Sequence, residues 1–270
     1  MPNFSILLPP SEKSQPGGNP FVPDMFDYRT PNTFNYFNEL NPERRKIIGA
    51  VQEAIKAGGE LEKLFAVNGE ELVQAIRLNQ EIYDAPLMAA LERFSPGVMY
   101  EAMDFPGLPT GAQRRLLENG VIFSGFFGLL RPDDLVPDHR LPIESEVPNI
   151  GALTDFWRPF VSPALNRTIA GAFVWDMLPD SHLAAWEDDR SYAQIVRVKF
   201  YDEKNGSRQE PGENLAPLRG KLVNFIVRES LEDLEPLLQW THPDGYTYDP
   251  DRTTENTASK ETEIAFVRRA

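Results

Sequence analysis

The chain has 270 residues, of which 41% are hydrophobic and 11% aromatic, enough for one sizeable core and too many for a wholly disordered chain. Its 41 acidic and 27 basic residues give a net charge of −14, so a nucleic acid would be repelled except at a local basic patch. It has no cysteine, which excludes disulfides, disulfide-linked partners, thiolate nucleophiles and cysteine-ligated zinc. No apolar run approaches the roughly 20 residues of a membrane span or forms a signal-peptide core. We therefore expect a cytoplasmic protein without a membrane partner.

The first half of the chain predicts one buried strand followed by a helical region. Residues 4–8 form an apolar run that Pro9 and Pro10 end, which is typical of a buried strand. Residues 11–31 are rich in Pro, Gly, Asn and Ser and predict a surface loop. Further along, capping residues and apolar spacing predict helices at residues 41–57, at 60–65 and from Glu70 onward, which form a helical subregion at about residues 42–93.

The second half alternates strands with helices. Val196, Val198 and Phe200 alternate with charged or polar neighbours, which is the pattern of a strand with one packed face. An Asn-Gly pair at residues 205–206 then indicates a hairpin. The remaining predicted elements are strands at 121–123, 172–175 and 264–267 and helices at 155–170 and 218–227. The fold class predicted is α/β of mixed α+β character: one domain over residues 1–270, with a single mixed β-sheet wrapped by helices.

Several motifs lie between Leu7 and Arg269. They are LLPPSEK at 7–13, GVMY at 97–100, SGFFGLLRPDD at 124–134 leading to Arg140 and Leu141, FWRP at 156–159, the segment ending RGK at 219–221, DGY at 244–246 and FVRR at 266–269. Together they resemble the YaaA family of peroxide stress proteins. The resemblance implies resistance to hydrogen peroxide, a lower level of free intracellular iron, and DNA binding through a helix-hairpin-helix and a basic cleft.

The candidate hairpin consists of Val67, Asn68 and Gly69, between the second and third predicted helices. Backbone N–H groups in such a turn can point at a phosphate, and the positive end of the following helix adds to the attraction. Glu70 and Glu71 occupy the position that a phosphate would take. An ordinary helical corner, in which the two acids stabilise the helix dipole, is therefore the alternative interpretation.

The candidate ligand- or DNA-binding residues are mostly basic and lie in matched motifs or beside tight turns. They are Ser11, Lys13, Arg131, Arg140, Lys204, Arg219, Gly220 and Lys221. Arginine forks suit phosphate or carboxylate groups, so the alternative for Arg131 is a structural pair with a nearby aspartate. We expect the motifs at 11–13, 124–140 and 219–221 to converge in one cleft.

Three hypotheses on function follow. The first is a cytosolic stress protein, without assigned chemistry, that binds DNA or a phosphate-bearing ligand in this cleft. The second is an enzyme acting on a small nucleotide or nucleobase there, although no phosphate loop, dinucleotide fingerprint or nucleophile elbow is present. The third is an iron-sequestering protein.

The histidines and tryptophans bear on these hypotheses. His139, His182 and His242 lack metal-ligand spacing and are predicted to be isolated surface residues, so no metal site and no cofactor are predicted. The four tryptophans are predicted to belong mostly to the core rather than to base-stacking platforms.

Overall fold

The computed structural model describes residues 4–19, 36–204 and 207–269. Its α-helices are α1 (Asn41–Ala57), α2 (Leu61–Phe65), α3 (Gly69–Gln80), α4 (Ala90–Arg93), α5 (Val98–Met103), α6 (Thr110–Asn119), α7 (Leu153–Ile169), α8 (Asp180–Leu183), α9 (Leu215–Glu229) and α10 (Glu235–Leu238). Its strands are β1 (Phe4–Leu8), β2 (Leu87–Ala89), β3 (Gly120–Ser124), β4 (Gly128–Leu130), β5 (Leu135–Pro137), β6 (Glu146–Val147), β7 (Gly151–Ala152), β8 (Phe173–Asp176), β9 (Gln194–Lys204), β10 (Ser207–Gln209), β11 (Thr247–Tyr248), β12 (Thr254–Asn256) and β13 (Glu261–Arg269).

Nine of the strands in the described residues form one mixed sheet in the order β11-β13-β9-β8-β1-β3-β4, with β10 added to β9 and β12 added to β13. The five strands from β13 to β3 are parallel, whereas β4 runs antiparallel to β3. The predicted mixed sheet with surrounding helices is confirmed. Two small two-stranded sheets, β2–β5 and β6–β7, lie outside it.

Strand β1 lies in the interior of this sheet, between β8 and β3. All five of its residues are buried, as expected for a continuous apolar run in a parallel sheet that is covered on both faces. The chain passes from β1 to β3 on one side and later returns to β8 on the other. The topological switch point is therefore between β1 and β8, and ligands of open α/β sheets bind beyond the carboxyl ends of strands at such a point.

Strands β8 and β9 differ in length. Strand β8 ends at Asp176, opposite Arg197, while β9 continues beyond that position to Lys204 and stays paired with β13. The sheet therefore has a notch beyond the carboxyl end of β8. The hairpin predicted at the end of β9 is confirmed by the antiparallel pairing of Ser207 with Lys204; Asn205 and Gly206 themselves lie outside the described residues. The part of the predicted N-terminal loop from Pro20 to Pro31 also lies outside them.

Helix α9 packs closely against α5 through Gly220. A Cβ atom added to Gly220 would overlap the carbonyl oxygen of Met99 and lie 3.0 Å from the Cβ of Ala102. Gly97, which precedes α5, is equally tight against the side chain of Ser11. The start of α5 is thus held between the loop after β1 and the first half of α9.

Tryptophans and histidines both contribute to the core. Trp157 and Trp175 are fully buried and Trp186 nearly so, which confirms the prediction for these three. The prediction that the histidines are surface residues is wrong for His182 and His242, which are buried. His242 satisfies its ring internally, since Nδ1 accepts the Asp244 N–H and Nε2 lies 3.2 Å from the Leu218 carbonyl oxygen. None of the helices in the described residues is long and apolar enough to span a membrane.

Candidate functional site

A cavity of about 230 Å³ occupies the notch beyond β8. Its walls come from the end of β8, the start of α8, the middle of β9 and the first turns of α9. Its charged lining residues, which define what we call the β8 cleft, are Asp176, Asp180, Arg197, Lys199, Glu210 and Arg219. The cleft is thus at the carboxyl edge of the parallel sheet, where α/β proteins bind their ligands.

The side chain of Asp176 forms the base of the β8 cleft and is fully buried. Its Oδ2 accepts a hydrogen bond from Nε of Arg197 at 2.7 Å, and its Oδ1 accepts one from the Leu178 N–H at 2.9 Å. Burial raises the pKa of Asp176, while Arg197 and these hydrogen bonds oppose the rise. The carboxylate therefore acts as an anchor that fixes the guanidinium of Arg197.

The basic groups of the cleft have N–H donors to spare. Arg197 uses only Nε towards Asp176, so its Nη1 and Nη2 make no hydrogen bond within the part of the chain that the structure describes. In the same part of the chain the structure gives no hydrogen bond or ion pair to the side chain of Arg219 or of Lys199. Burial lowers the pKa of Arg219, and the carboxylates of Asp176, Glu210 and Asp180 oppose that effect. Guanidinium groups with free N–H edges are suited to bidentate anion binding.

A second group of predicted residues meets at Arg140. Its Nε donates to the carbonyl oxygen of Phe65 at 3.3 Å, and its Nη1 donates to that of Glu12 at 3.3 Å. Arg140 thereby joins the loop that carries Ser11 and Lys13 to the end of α2. In that loop the Lys13 N–H donates to the Ser11 Oγ at 3.0 Å, while the Lys13 side chain is exposed.

The helical corner between α2 and α3 is present where the sequence predicts it. Gly69 has φ +56°, and Val67 is buried under the corner while Asn68 is exposed. The carbonyl oxygen of Leu64 at the end of α2 accepts a hydrogen bond from Ser145 Oγ at 2.7 Å. Exposed Glu70 and Glu71 follow in the first turn of α3, and Glu71 lies 3.9 Å from Arg140. These contacts and charges favour an ordinary helical corner.

Comparison with protein-family models agrees with the resemblance that the motifs indicate. The model of the family described as peroxide stress protein YaaA matches residues 4–252. The chain belongs to this family. A UPF0246 protein of Streptomyces coelicolor is 29% identical over 67% of the chain and 67% of its own length, and one of Neisseria meningitidis serogroup C is 30% identical over 64% and 66%. An uncharacterized protein of Campylobacter jejuni is 27% identical over 87% of the chain and 89% of its own length. The matches to the UPF0246 proteins thus span about two thirds of those relatives.

The YaaA-family motifs converge only in part. Ser11 lies against Gly97, just before α5, and Gly220 lies against Met99 in the first turn of α5. The loop after β1 and the start of α9 are therefore neighbours. Lys221 is also there, but its Nζ donates to both carboxylate oxygens of Asp244 at 2.8 Å, which neutralises its charge. Lys204 lies at the far end of β9, beyond the part of the strand that lines the cleft.

Arg131 lies beside the amino end of β3, at the opposite end of the parallel strands from the β8 cleft. The prediction that it shares a cleft with Lys13 and Arg219 is therefore wrong. Its guanidinium donates to the carbonyl oxygens of Glu118 and Gly120, and Gly120 begins β3, whereas the cleft lies at carboxyl ends of strands. Its carbon Cζ is 5.4 Å from the centre of the Tyr36 ring. Strand β4 reverses the direction of the chain after β3, and this reversal carries Arg131 away from the site.

Asp134, beside Arg131, gives a testable pH dependence. Its carboxylate accepts the N–H groups of Arg131 at 2.7 Å and Tyr36 at 2.9 Å, and burial raises its pKa to about 6. In the folded chain Asp134 therefore keeps a proton that it loses near pH 4 in the unfolded chain. Its contribution to the free energy of unfolding falls as pH rises from about 4 to about 6. At about 1.4 kcal/mol per pKa unit, a rise of roughly two units makes the fall about 3 kcal/mol.

We expect the free energy of unfolding of the wild type minus that of Asp134→Asn to be larger at pH 4.5 than at pH 7. Urea denaturation at both pH values measures it. A difference between the two proteins that does not change with pH contradicts the expectation.

The sequence reasoning missed Asp176, Arg197 and Lys199. A signal for each was present. Arg197 and Lys199 form the charged face of the strand that the alternation predicted, and Asp176 directly follows a predicted buried strand.

Within residues 4–19, 36–204 and 207–269, no group of three or more His, Asp or Glu side chains is placed to hold a metal ion. The iron hypothesis therefore has no ligand set in that part of the chain.

Proposed function

We propose that this YaaA-family protein acts in the peroxide stress response of the cytoplasm, as one domain, by binding a phosphate-bearing ligand in the β8 cleft. The observation that carries the proposal is the group of Arg197, Lys199 and Arg219 around one cavity, with N–H donors that the described residues leave unused. Charge-assisted hydrogen bonds from arginine to phosphate are among the strongest that a protein surface offers.

The charges favour a small ligand over duplex DNA. Several of the basic residues that a DNA interface would need are already paired, as Lys221 is with Asp244 and Arg140 is with backbone carbonyl groups. The net charge of −14 repels a polyanion at long range, whereas a small anion can reach the three basic residues of the β8 cleft, whose N–H donors the described residues leave unused. Any DNA affinity is expected to be weak and to fall steeply with salt concentration.

Titration calorimetry with inorganic phosphate tests the proposal. We expect Arg219→Gln to lower the affinity about tenfold, since it removes charge-assisted hydrogen bonds from a half-buried group. Arg228→Gln is the matched control, because Arg228 is on the same helix but bonds to Asn224 and to the Gly107 carbonyl group, and it should leave the affinity unchanged. Absence of phosphate binding by the wild type, or equal affinities of wild type and Arg219→Gln, would refute the proposal.

A duplex oligonucleotide is the second probe in the same experiment. The contrary outcome is that duplex DNA binds more tightly than phosphate at low salt while Arg219→Gln leaves that binding unchanged. In that case the function is DNA recognition at another surface and not ligand binding in the β8 cleft. Fluorescence anisotropy at several salt concentrations gives the number of phosphate contacts from the slope.

A further inference from the structure

We infer that the ligand of the β8 cleft is a small phosphate monoester whose organic part carries hydroxyl groups, a molecule of the class of sugar phosphates. This inference rests on the proposed function and narrows it to one ligand class. In this arrangement Arg197, Lys199 and Arg219 hold the phosphate, and Asp180 and Glu210 accept hydrogen bonds from the hydroxyl groups.

The volume of the cavity sets the size of the ligand. At about 230 Å³ it is larger than the ~150 Å³ cavity that holds a benzene molecule. It is smaller than the ~300 Å³ at which pockets for drug-sized ligands begin. A phosphate group with a short organic part fills this volume, whereas a dinucleotide or a duplex would extend out of the cleft.

The charges of the lining indicate what the organic part carries. Three basic and three acidic side chains line the cavity. The charge of Asp176 is already used, because its carboxylate holds Arg197. Asp180 and Glu210 are exposed, and within the described residues the structure gives neither of them an ion pair. A ligand that is only anionic is repelled by these two carboxylates, whereas one with hydroxyl donors gains charge-assisted hydrogen bonds from them.

The apolar lining is consistent with a small, partly hydrophobic body. Leu178, Pro179 and Leu215 line the cavity together with the charged groups and provide apolar surface. The carbon skeleton of a sugar presents C–H groups to such a surface while its hydroxyl groups face the acids. An inorganic phosphate ion would leave this surface uncovered.

The test compares three probes by titration calorimetry on the full chain: ribose 5-phosphate, propyl phosphate and inorganic phosphate. We expect ribose 5-phosphate to bind about tenfold more tightly than propyl phosphate, because only the sugar donates hydrogen bonds to the carboxylates. In the double variant Asp180→Asn, Glu210→Gln we expect this preference to fall below about threefold, while inorganic phosphate binds more tightly because repulsion is removed. A damaged fold would not raise the affinity for phosphate.

The matched control is Glu62→Gln, Glu70→Gln, which changes the net charge equally at exposed residues of the helical corner and should keep the tenfold preference. If the wild type binds none of the three probes, the proposed function fails. If it binds all three with similar affinity, or if the double variant keeps the preference, phosphate binding stands and the inference on the sugar phosphate is overturned.

Discussion

Replacing Arg197 by glutamine lowers the free energy of unfolding by about 3 kcal/mol at pH 7.5, because it leaves the carboxylate of Asp176 buried without its cation. The Asp176 side chain is 0% exposed and that of Arg197 is 36% exposed, so we place the effect at the lower end of the range for broken buried pairs. Urea denaturation followed by circular dichroism measures it.

The pH dependence and a second variant identify the cause. Burial already raises the pKa of Asp176, and removing Arg197 raises it further. A carboxyl group whose pKa is higher in the folded chain stabilises at low pH and loses that contribution as pH rises. The deficit of Arg197→Gln should therefore shrink at pH 5, and adding Asp176→Asn should restore most of the stability at pH 7.5. A deficit that is equal at both pH values and persists in the double variant indicates lost packing instead.

Gly220→Ala should destabilise the chain by about 3 kcal/mol, at the upper end of the usual cost of overpacking. The new methyl group would overlap the carbonyl oxygen of Met99, and a backbone atom of a packed helix cannot rotate away. Helices α5 and α9 would have to separate, which also disturbs Arg219 at the preceding position.

Gly49→Ala in α1 is the control with the opposite sign. Gly49 also lies inside a helix, but a Cβ atom there meets no atom within 4 Å. Because alanine is the better helix former, we expect a gain of up to about 1 kcal/mol. Both variants are measured by urea denaturation. If both change the free energy of unfolding in the same direction, the helix propensity or the backbone of α9, and not the α5–α9 contact, determines the effect of Gly220→Ala.

Local patterns predicted the strands and helices well because their causes are local. The apolar run of β1, the alternation of Val196, Val198 and Phe200 in β9, and the N-terminal proline and C-terminal glycine of α1 each depend on residues close together in the chain. The two prolines inside α7 did not prevent the helix that the sequence predicted at 155–170, and α7 has 17 residues.

The site was only partly predictable because its arrangement depends on the order of strands in the sheet. Nothing local indicates that β4 turns back and takes Arg131 to the far edge, or that Asp244 neutralises Lys221. Arg219 was predicted from its motif, while Arg197 becomes a candidate only when β9 is seen to pass the end of β8. Pairing between distant segments is the information that a single sequence does not contain.

The interior position of β1 has a consequence for synthesis of the chain. Ile6 pairs with Gly120, and Phe4 pairs with Phe173, so the first strand meets neither neighbour until much of the protein has been made. At ~5–20 residues per second, a ribosome needs roughly 10 to 30 s to add that length. During this time an apolar strand with two unpaired edges is exposed in the nascent chain, which makes it a natural target for chaperones that act during translation.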